Sequence, residues 1–185
     1  MTETHRHQID RRTASCQCGA VTLELTGQPI VAATCYCQSC QKAGHAFETL
    51  PGAGAVFGAD GGTPYVLMRK DRIAWRSGSD RLEEHRLQPD APTRRMVSTC
   101  CNSPMCLEFT KGHWLSVYSA RIAEAERPPA EMRTIVGDRP EGVELPGDIP
   151  NYTAPTGRFM WRLLKAWAAM GFQAPRLEAT KGYGR

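Results

Sequence analysis

Cys16-Gln17-Cys18-Gly19-Ala20-Val21 and Cys35-Tyr36-Cys37-Gln38-Ser39-Cys40 hold five of the eight cysteines of this chain, and a vicinal pair, Cys100-Cys101, follows far downstream. Closely spaced thiols can converge on one tetrahedral metal ion with Zn–S bonds of about 2.3 Å. Cysteines separated by one residue reach disulfide geometry only with strain. The two clusters differ in ligand count. The first pair needs two more ligands from elsewhere, whereas Cys35, Cys37 and Cys40 supply three and leave a fourth position open. This imbalance points to two Zn2+ sites, one closed and structural and one with an open position for chemistry.

At 185 residues the chain is long enough for one domain with a hydrophobic core, plus extensions. Met1 to Arg12 is polar and charged, which does not match a signal peptide. No run reaches the roughly 18 apolar residues of a membrane span. The expected compartment is therefore the cytoplasm, where thiols stay reduced and clustered cysteines hold metal more often than they form bridges. The formal charge of +4 is unevenly distributed. From Arg158 onward Arg158, Arg162, Lys165, Arg176, Lys181 and Arg185 face only Glu178, so the rest is close to neutral. A nearly neutral body carries no electrostatic footprint for nucleic acid.

Met1 to Thr13 reads as a flexible lead, with His5 and His7 solvated. Val21 to Leu25 alternates apolar and polar, a strand that stops at Gly27, and Ile30 to Thr34 reads as the returning strand that delivers the second cluster into a tight turn. After the Gly- and Ala-rich loop 52–62 come short β-type runs, at Tyr65–Met68, Ile73–Trp75, Glu84–Leu87, Arg95–Val97, Met105–Phe109 and Trp114–Tyr118. Together they predict a mainly β zinc-binding domain over residues 14–126. Residues 127–155 contain six prolines and read as an extended strap. Residues 156–185 form a basic tail in which Thr156 caps an amphipathic helix from about Arg158 to Met170, ended by Gly171.

The succession Cys16-Gln17-Cys18-Gly19-Ala20-Val21, Cys35-Tyr36-Cys37-Gln38-Ser39-Cys40-Gln41-Lys42 and Cys101-Asn102-Ser103-Pro104-Met105 resembles the glutathione-dependent formaldehyde-activating enzyme family, which also includes centromere protein V. The likeness covers roughly Ala14 to Ala120. It implies a zinc-stabilised β-tent fold, with a structural zinc on the first Cys-x-Cys and a late Cys-x-x-Cys-Gly and a catalytic zinc on the middle three cysteines. It also implies that glutathione is combined with formaldehyde to give S-hydroxymethylglutathione. The late motif departs from the pattern, because Ser98 stands in the place of its first cysteine and Asn102 in that of its glycine. Cys100 is the substitute, provided the backbone turns sharply enough for Cys100 and Cys101 to reach one ion. Otherwise something else completes a three-cysteine site.

The expected metal ligands are therefore Cys16, Cys18, Cys35, Cys37, Cys40, Cys100 and Cys101. Three thiolates on one divalent ion carry a net negative charge, so an incoming thiolate needs a nearby cation, for which Lys42 is the local candidate. His45 reaches the same ion or acts as a base beside it. Cys106 lies in an apolar run and reads as a small buried hydrophobe, and Trp75, Trp114 and Tyr118 as core. The expected activity is that of a zinc-dependent carbon–sulfur lyase acting on a small thiol adduct. The alternatives are a zinc-scaffolded binding module without catalysis and a redox-responsive thiol protein. The C-terminal helix packs on the β domain, meets a second copy in a homodimer, or lies on a membrane surface. Its charge and the strap before it suggest a separable appendage.

Overall fold

The computed structural model describes residues 10–177, and among these residues the fold is mainly β, as expected. In chain order the elements are β1 (Arg11–Ser15), β2 (Thr22–Thr26), β3 (Val31–Cys35), α1 (Gln38–Glu48), β4 (Thr63–Arg69), β5 (Ile73–Ser77) and β6 (Leu82–His85). Then come β7 (Thr93–Ser98), β8 (Pro104–Phe109), β9 (Trp114–Tyr118), β10 (Met132–Thr134), β11 (Asn151–Tyr152) and α2 (Gly157–Ala168). His5 and His7, like Lys181 and Arg185, lie outside the described residues.

The strands form two sheets. A small antiparallel one has the order β1-β2-β5, and a large one runs β11-β10-β3-β4-β9-β8-β7-β6. Alternation along β4 shows how the layers stack, since successive side chains point to opposite faces. Val66 and Met68 join a core with Leu23 and Leu25 of the small sheet, while Tyr65 and Leu67 join a second core with Phe47 of α1 and Leu163 of α2. The large sheet is thus covered on one face by the small sheet and on the other by the helices. Cys106 is fully buried, as its apolar context suggested.

Four features differ from the sequence reading. Strand pairing begins at Arg11, opposite Thr26, inside the stretch read as a lead. The tight turn expected at the second cluster is instead the start of α1, whose buried residues Cys40, Ala43, Gly44 and Phe47 follow the i, i+3, i+4, i+7 spacing of one helix face. The strap is part of the sheet, because β10 runs parallel to β3 with Thr134 opposite Cys35. Its Asp138 carboxylate also accepts the Gln38 N–H at 3.0 Å, so an anion offsets the positive N-terminal end of α1.

The C-terminal helix is docked on the β domain. Thr156 caps it by accepting the Phe159 N–H at 3.2 Å, and Gly171, at φ 63°, follows its end. Leu163 is buried, the Leu163 carbonyl lies 2.8 Å from His113 Nε2, and Arg162 pairs with Glu131 at 2.6 Å. Its inner face is core, and the helix is no free appendage. No helix among the described residues is long and apolar enough to cross a membrane.

Candidate metal centres

The first cluster is assembled from two hairpin turns. Between β1 and β2 the chain reverses through Gly19, at φ 78°, and the reversal is closed by Gly19 N–H to the Cys16 carbonyl at 2.9 Å and Cys16 N–H to the Val21 carbonyl at 3.0 Å. The same turn aims the Val21 N–H at Cys16 Sγ, 3.3 Å away. Glycine meets no steric cost in this left-handed conformation. The turn between β7 and β8 brings the vicinal pair. There Asn102 takes the left-handed place at φ 56°, which Asn tolerates better than most residues, and its amide donates to the Pro51 carbonyl at 2.9 Å. This is the sharp bend that adjacent cysteines need.

All four sulfurs of Cys16, Cys18, Cys100 and Cys101 lie within 4.8 Å of one another, a group that could hold a metal ion. Cys16 Sγ is 3.6 Å from Cys18 Sγ and 3.8 Å from Cys100 Sγ. Cys18 and Cys100 are 3.4 Å apart, and Cys100 and Cys101 4.0 Å. A tetrahedron with Zn–S bonds of about 2.3 Å has edges of about 3.8 Å, and these four separations are compatible with such a site. None of the cysteines is in a disulfide.

Ser98 stands beside the four sulfurs and is fully buried. Its hydroxyl is 3.3 Å from Cys101 Sγ and accepts the Ser103 N–H at 3.0 Å, and Ser103 Oγ is 3.1 Å from Cys101 Sγ. Burial opposes ionisation of Cys101, but the bonds from Ser103 and Ser98 outweigh it and bring the thiol down to about 5. Cys100 is pushed up to about 12 by desolvation and by its neighbours Cys18 and Cys16. One thiol of the pair is therefore primed as a thiolate by hydroxyl donors, the chemistry a metal ligand requires.

The second cluster lies where β3 meets α1. Cys35 ends the strand, Cys37 is the N-cap residue of α1 and Cys40 sits in its first turn, with Cys40 N–H bonded to the Cys37 carbonyl at 2.8 Å. The three sulfurs again lie within 4.8 Å of one another. Cys37 is the most acidic of them, brought down to about 2 by hydrogen bonds from Cys35 and Cys40, with burial opposing and the Cys40 and Ser39 N–H groups assisting. Its bond to Cys37 and then to Cys40 drives Cys35 strongly upward. No fourth His, Cys, Asp or Glu among the described residues completes this group.

His45 and Lys42 are both exposed. Each residue of an α-helix turns about 100°, so positions two and five beyond Cys40 point well away from it, and the His45 ring rests on Phe57 at 5.0 Å. The structure brings neither to the sulfurs. A cation that sequence reasoning missed comes from β7 instead. Arg95 is fully buried and its Nη2 donates to Ser39 O at 3.0 Å and to Ser39 Oγ at 2.9 Å, inside the first turn of α1. Burial disfavours its charge, and the neighbouring Tyr118, Tyr65 and Cys40 favour it. Tyr118 is near enough for electrostatic interaction, yet Nε and Nη1 find no hydrogen-bond acceptor. A buried guanidinium with two unpartnered nitrogens and Cys40 nearby fits an anionic centre there. Tyr65, whose ionisation burial opposes, places its hydroxyl 3.7 Å from Cys40 Sγ. The alternation of β7 carried a weak signal for Arg95, since adjacent Arg94 and Arg95 point to opposite faces of the sheet and one of them has to face inward.

A parallel arrangement serves the first cluster. Arg121 is buried and donates to the Ala53 and Ala55 carbonyls at 3.2 and 3.1 Å. Burial lowers its pKa, while Cys101 and Cys16 act in the opposite direction.

A family model described as glutathione-dependent formaldehyde-activating enzyme matches residues 11–135, about two thirds of the chain and the whole of both clusters. The chain belongs to that family. The match extends beyond Ala120 into the strap and includes β10, the strand beside Cys35. Among solved structures, the chain is similar to a protein from Rhodobacter sphaeroides, at 16% identity and a TM-score of 0.44, over 75% of this chain and 98% of that one. No curated protein matches it. Ser98, where the resemblance implies a cysteine, places a hydroxyl beside the four-sulfur group, and Cys100 contributes a sulfur to that group.

Proposed function

We propose that this protein is a zinc-dependent carbon–sulfur lyase that acts on S-hydroxymethylglutathione or a closely related adduct of a small thiol and formaldehyde. The observation that carries this reading is the inequality of the two cysteine groups, four sulfurs in one and three in the other. Cys16, Cys18, Cys100 and Cys101 would hold a structural zinc, and Cys35, Cys37 and Cys40 a second one. Zinc on three thiolates supplies a position for one more soft ligand and favours the thiolate form of an incoming thiol.

The residues around that position divide the remaining work. Arg95 takes the countercharge role expected of Lys42, holding a fixed positive charge where water cannot screen it. Tyr65, kept protonated by burial, donates toward Cys40 and withdraws negative charge from it. Asp138 and the Ser39–Arg95 bonds fix the first turn of α1, so the spacing of Cys37 and Cys40 is set before any substrate arrives. A cavity of about 520 Å3 lies between β3, β4 and the strap, with Thr34, Tyr65, Asp60, Glu124, Arg127 and Arg133 in its wall but none of the three cysteines. It is large enough for a peptide-sized thiol, and Arg127 suits a carboxylate, whereas Arg133 is already paired with Asp60 and Asp148. In the reaction the thiol sulfur bonds to the formaldehyde carbon. The carbonyl π pair moves to oxygen, which takes up the proton the thiol releases. Cleavage is the reverse.

The test is exchange spectroscopy of glutathione with formaldehyde, run on protein of known zinc content and with the uncatalysed rate subtracted. Faster interconversion that Cys37→Ser abolishes, with the fold and the first zinc retained, is the expected result. Zinc-loaded protein that leaves the rate unchanged refutes the proposal. One observation favours the redox reading as a second role: Cys18 and Cys100 are both exposed, with sulfurs 3.4 Å apart. Loss of two titratable thiols and of one zinc on mild peroxide treatment would support it.

A further inference from the structure

We infer that α2 is a docking surface for an anionic phospholipid membrane. Viewed down its axis, at about 100° per residue, the helix has three sectors. One, centred on Leu163, is buried against the β domain. Beside it runs an apolar sector of Met160, Leu164 and Trp161, which are 53%, 44% and 59% exposed. The third is basic, with Arg158, Arg162 and Lys165. The apolar arc of the helix is therefore wider than its docking uses. Phe109 and Phe172 extend the exposed patch beyond the helix.

The two grooves that flank α2 match the two parts of a phospholipid. On the apolar side, a cavity of about 320 Å3 is walled by Phe109, Trp114, Met160, Leu164 and Trp167, with Lys111 at its edge. On the basic side, a cavity of about 260 Å3 is lined by Arg69, Arg162 and Lys165, among other residues. Neither wall contains an acidic residue. Arg69 and Arg162 keep their partners Asp71 and Glu131, whereas Arg158, Lys165 and Lys111 have no ion pair among the described residues. Aromatic rings at the boundary between an apolar strip and free cations are the pattern of a helix lying in a membrane interface, and anionic headgroups attract such cations at short range.

Charge selects this occupant over the others. A second copy seated on Trp161 brings the free cations Arg158 and Lys165 of both copies together without an acidic complement. In sequence, Lys181 and Arg185 add two cations against the one acid Glu178.

The full-length protein, zinc-loaded, is sedimented with phosphatidylcholine–phosphatidylserine vesicles and with phosphatidylcholine vesicles alone, at low and at raised salt. Binding to the anionic vesicles only, weakened by salt, is expected. Trp161→Ala should weaken it about tenfold or more, from the apolar surface no longer buried. Lys165→Gln and Arg158→Gln should each cost about fivefold at low salt. Both side chains are exposed, so thermal stability and zinc content should stay unchanged and serve as the control. Protein that remains in the supernatant, or that binds neutral and anionic vesicles equally, overturns the inference. A concentration-dependent dimer that Trp161→Ala dissociates, without vesicle binding, assigns the patch to a second copy instead.

Discussion

Removing one buried hydroxyl, in Ser98→Ala, should disable the first metal centre while leaving all four of its sulfurs in place. Ser98 Oγ accepts the Ser103 N–H at 3.0 Å and reaches Cys101 Sγ at 3.3 Å, and both serines are fully buried. Alanine leaves the Ser103 N–H without an acceptor, a cost of about 1–3 kcal/mol, and deletes a bond to a group that is charged when it binds metal, about 1.5–3 kcal/mol. The two overlap in one small site, so a net loss of about 2–4 kcal/mol is expected, a large share of the 5–15 kcal/mol that holds a typical domain together. Denaturant unfolding of the zinc-loaded protein measures it.

Two further readouts separate this from a generic core defect. Zinc affinity, by competition with a chelator, should fall about 10–100-fold, the usual effect of losing a group that supports a ligand. In metal-free protein the thiolate absorbance of Cys101 should appear at higher pH than in the parent. The bond from Ser98 is one of the forces that holds this thiol near 5 against burial. Unchanged zinc affinity with a stability change under about 0.5 kcal/mol would refute the reasoning, and Ser98 would then be only a small residue that fits.

Arg95→Met should leave the first zinc in place and weaken thiol binding at the second, and Arg95→Lys should recover part of it; equal thiol affinity in Met and Lys variants would show that its charge is irrelevant. Gly44→Ala should cost about 1–3 kcal/mol in thermal or urea unfolding, because a Cβ there would lie 2.3 Å from the Phe57 ring; a neutral result would mean that the 52–62 loop yields freely. His113 is held below its ordinary 6.5 by burial, with the Leu163 carbonyl opposing and Lys70 assisting. Its stabilising contribution is therefore complete above 6.5 and is lost as pH falls through the lowered folded value. Amide exchange in α2 should speed up on acidification, and exchange independent of pH, once the intrinsic rate is removed, would contradict this.

The parts of the fold that sequence revealed are those written in short-range chemistry. Spacing of thiols placed the second cluster and half of the first, which the family resemblance completed with Cys100 and Cys101, and period-two alternation placed the strands from Val21 to Tyr118 to within a few residues. What escaped was set by partners distant in the chain. Helix α1 was hidden because its apolar face includes Cys40 and Gly44, residues that carry little hydrophobic signal, and because its N-terminal anion, Asp138, lies in the strap. The strap itself read as irregular from its prolines, yet three residues between them suffice for β10. Period-two alternation alone does not say that Glu84, Arg94 and Glu108 face one another. They form a chain of ion pairs that ends on the buried Lys70, 2.5 Å from Glu108, and no single-sequence pattern distinguishes a charge facing water from one facing another charge. Arg95 was missed for the same reason.

The two buried arginines give the difference between the clusters an electrostatic form. Zinc on four thiolates carries two negative charges, and Arg121 beside Cys16 and Cys101 leaves one uncompensated. Zinc on three thiolates carries one, which Arg95 beside Cys40 cancels. Adding a fourth thiolate to a zinc-loaded second site would bring it to the same net charge as a zinc-loaded first site. An open position so poised accepts an anionic sulfur at no greater electrostatic cost than the fold already bears, and releases it without leaving a buried charge unbalanced. Reversible thiol capture needs both properties. On the proposed reading, Arg95, two of whose guanidinium nitrogens lack a hydrogen-bond partner, would supply the countercharge for a centre whose three sulfurs leave room for a fourth.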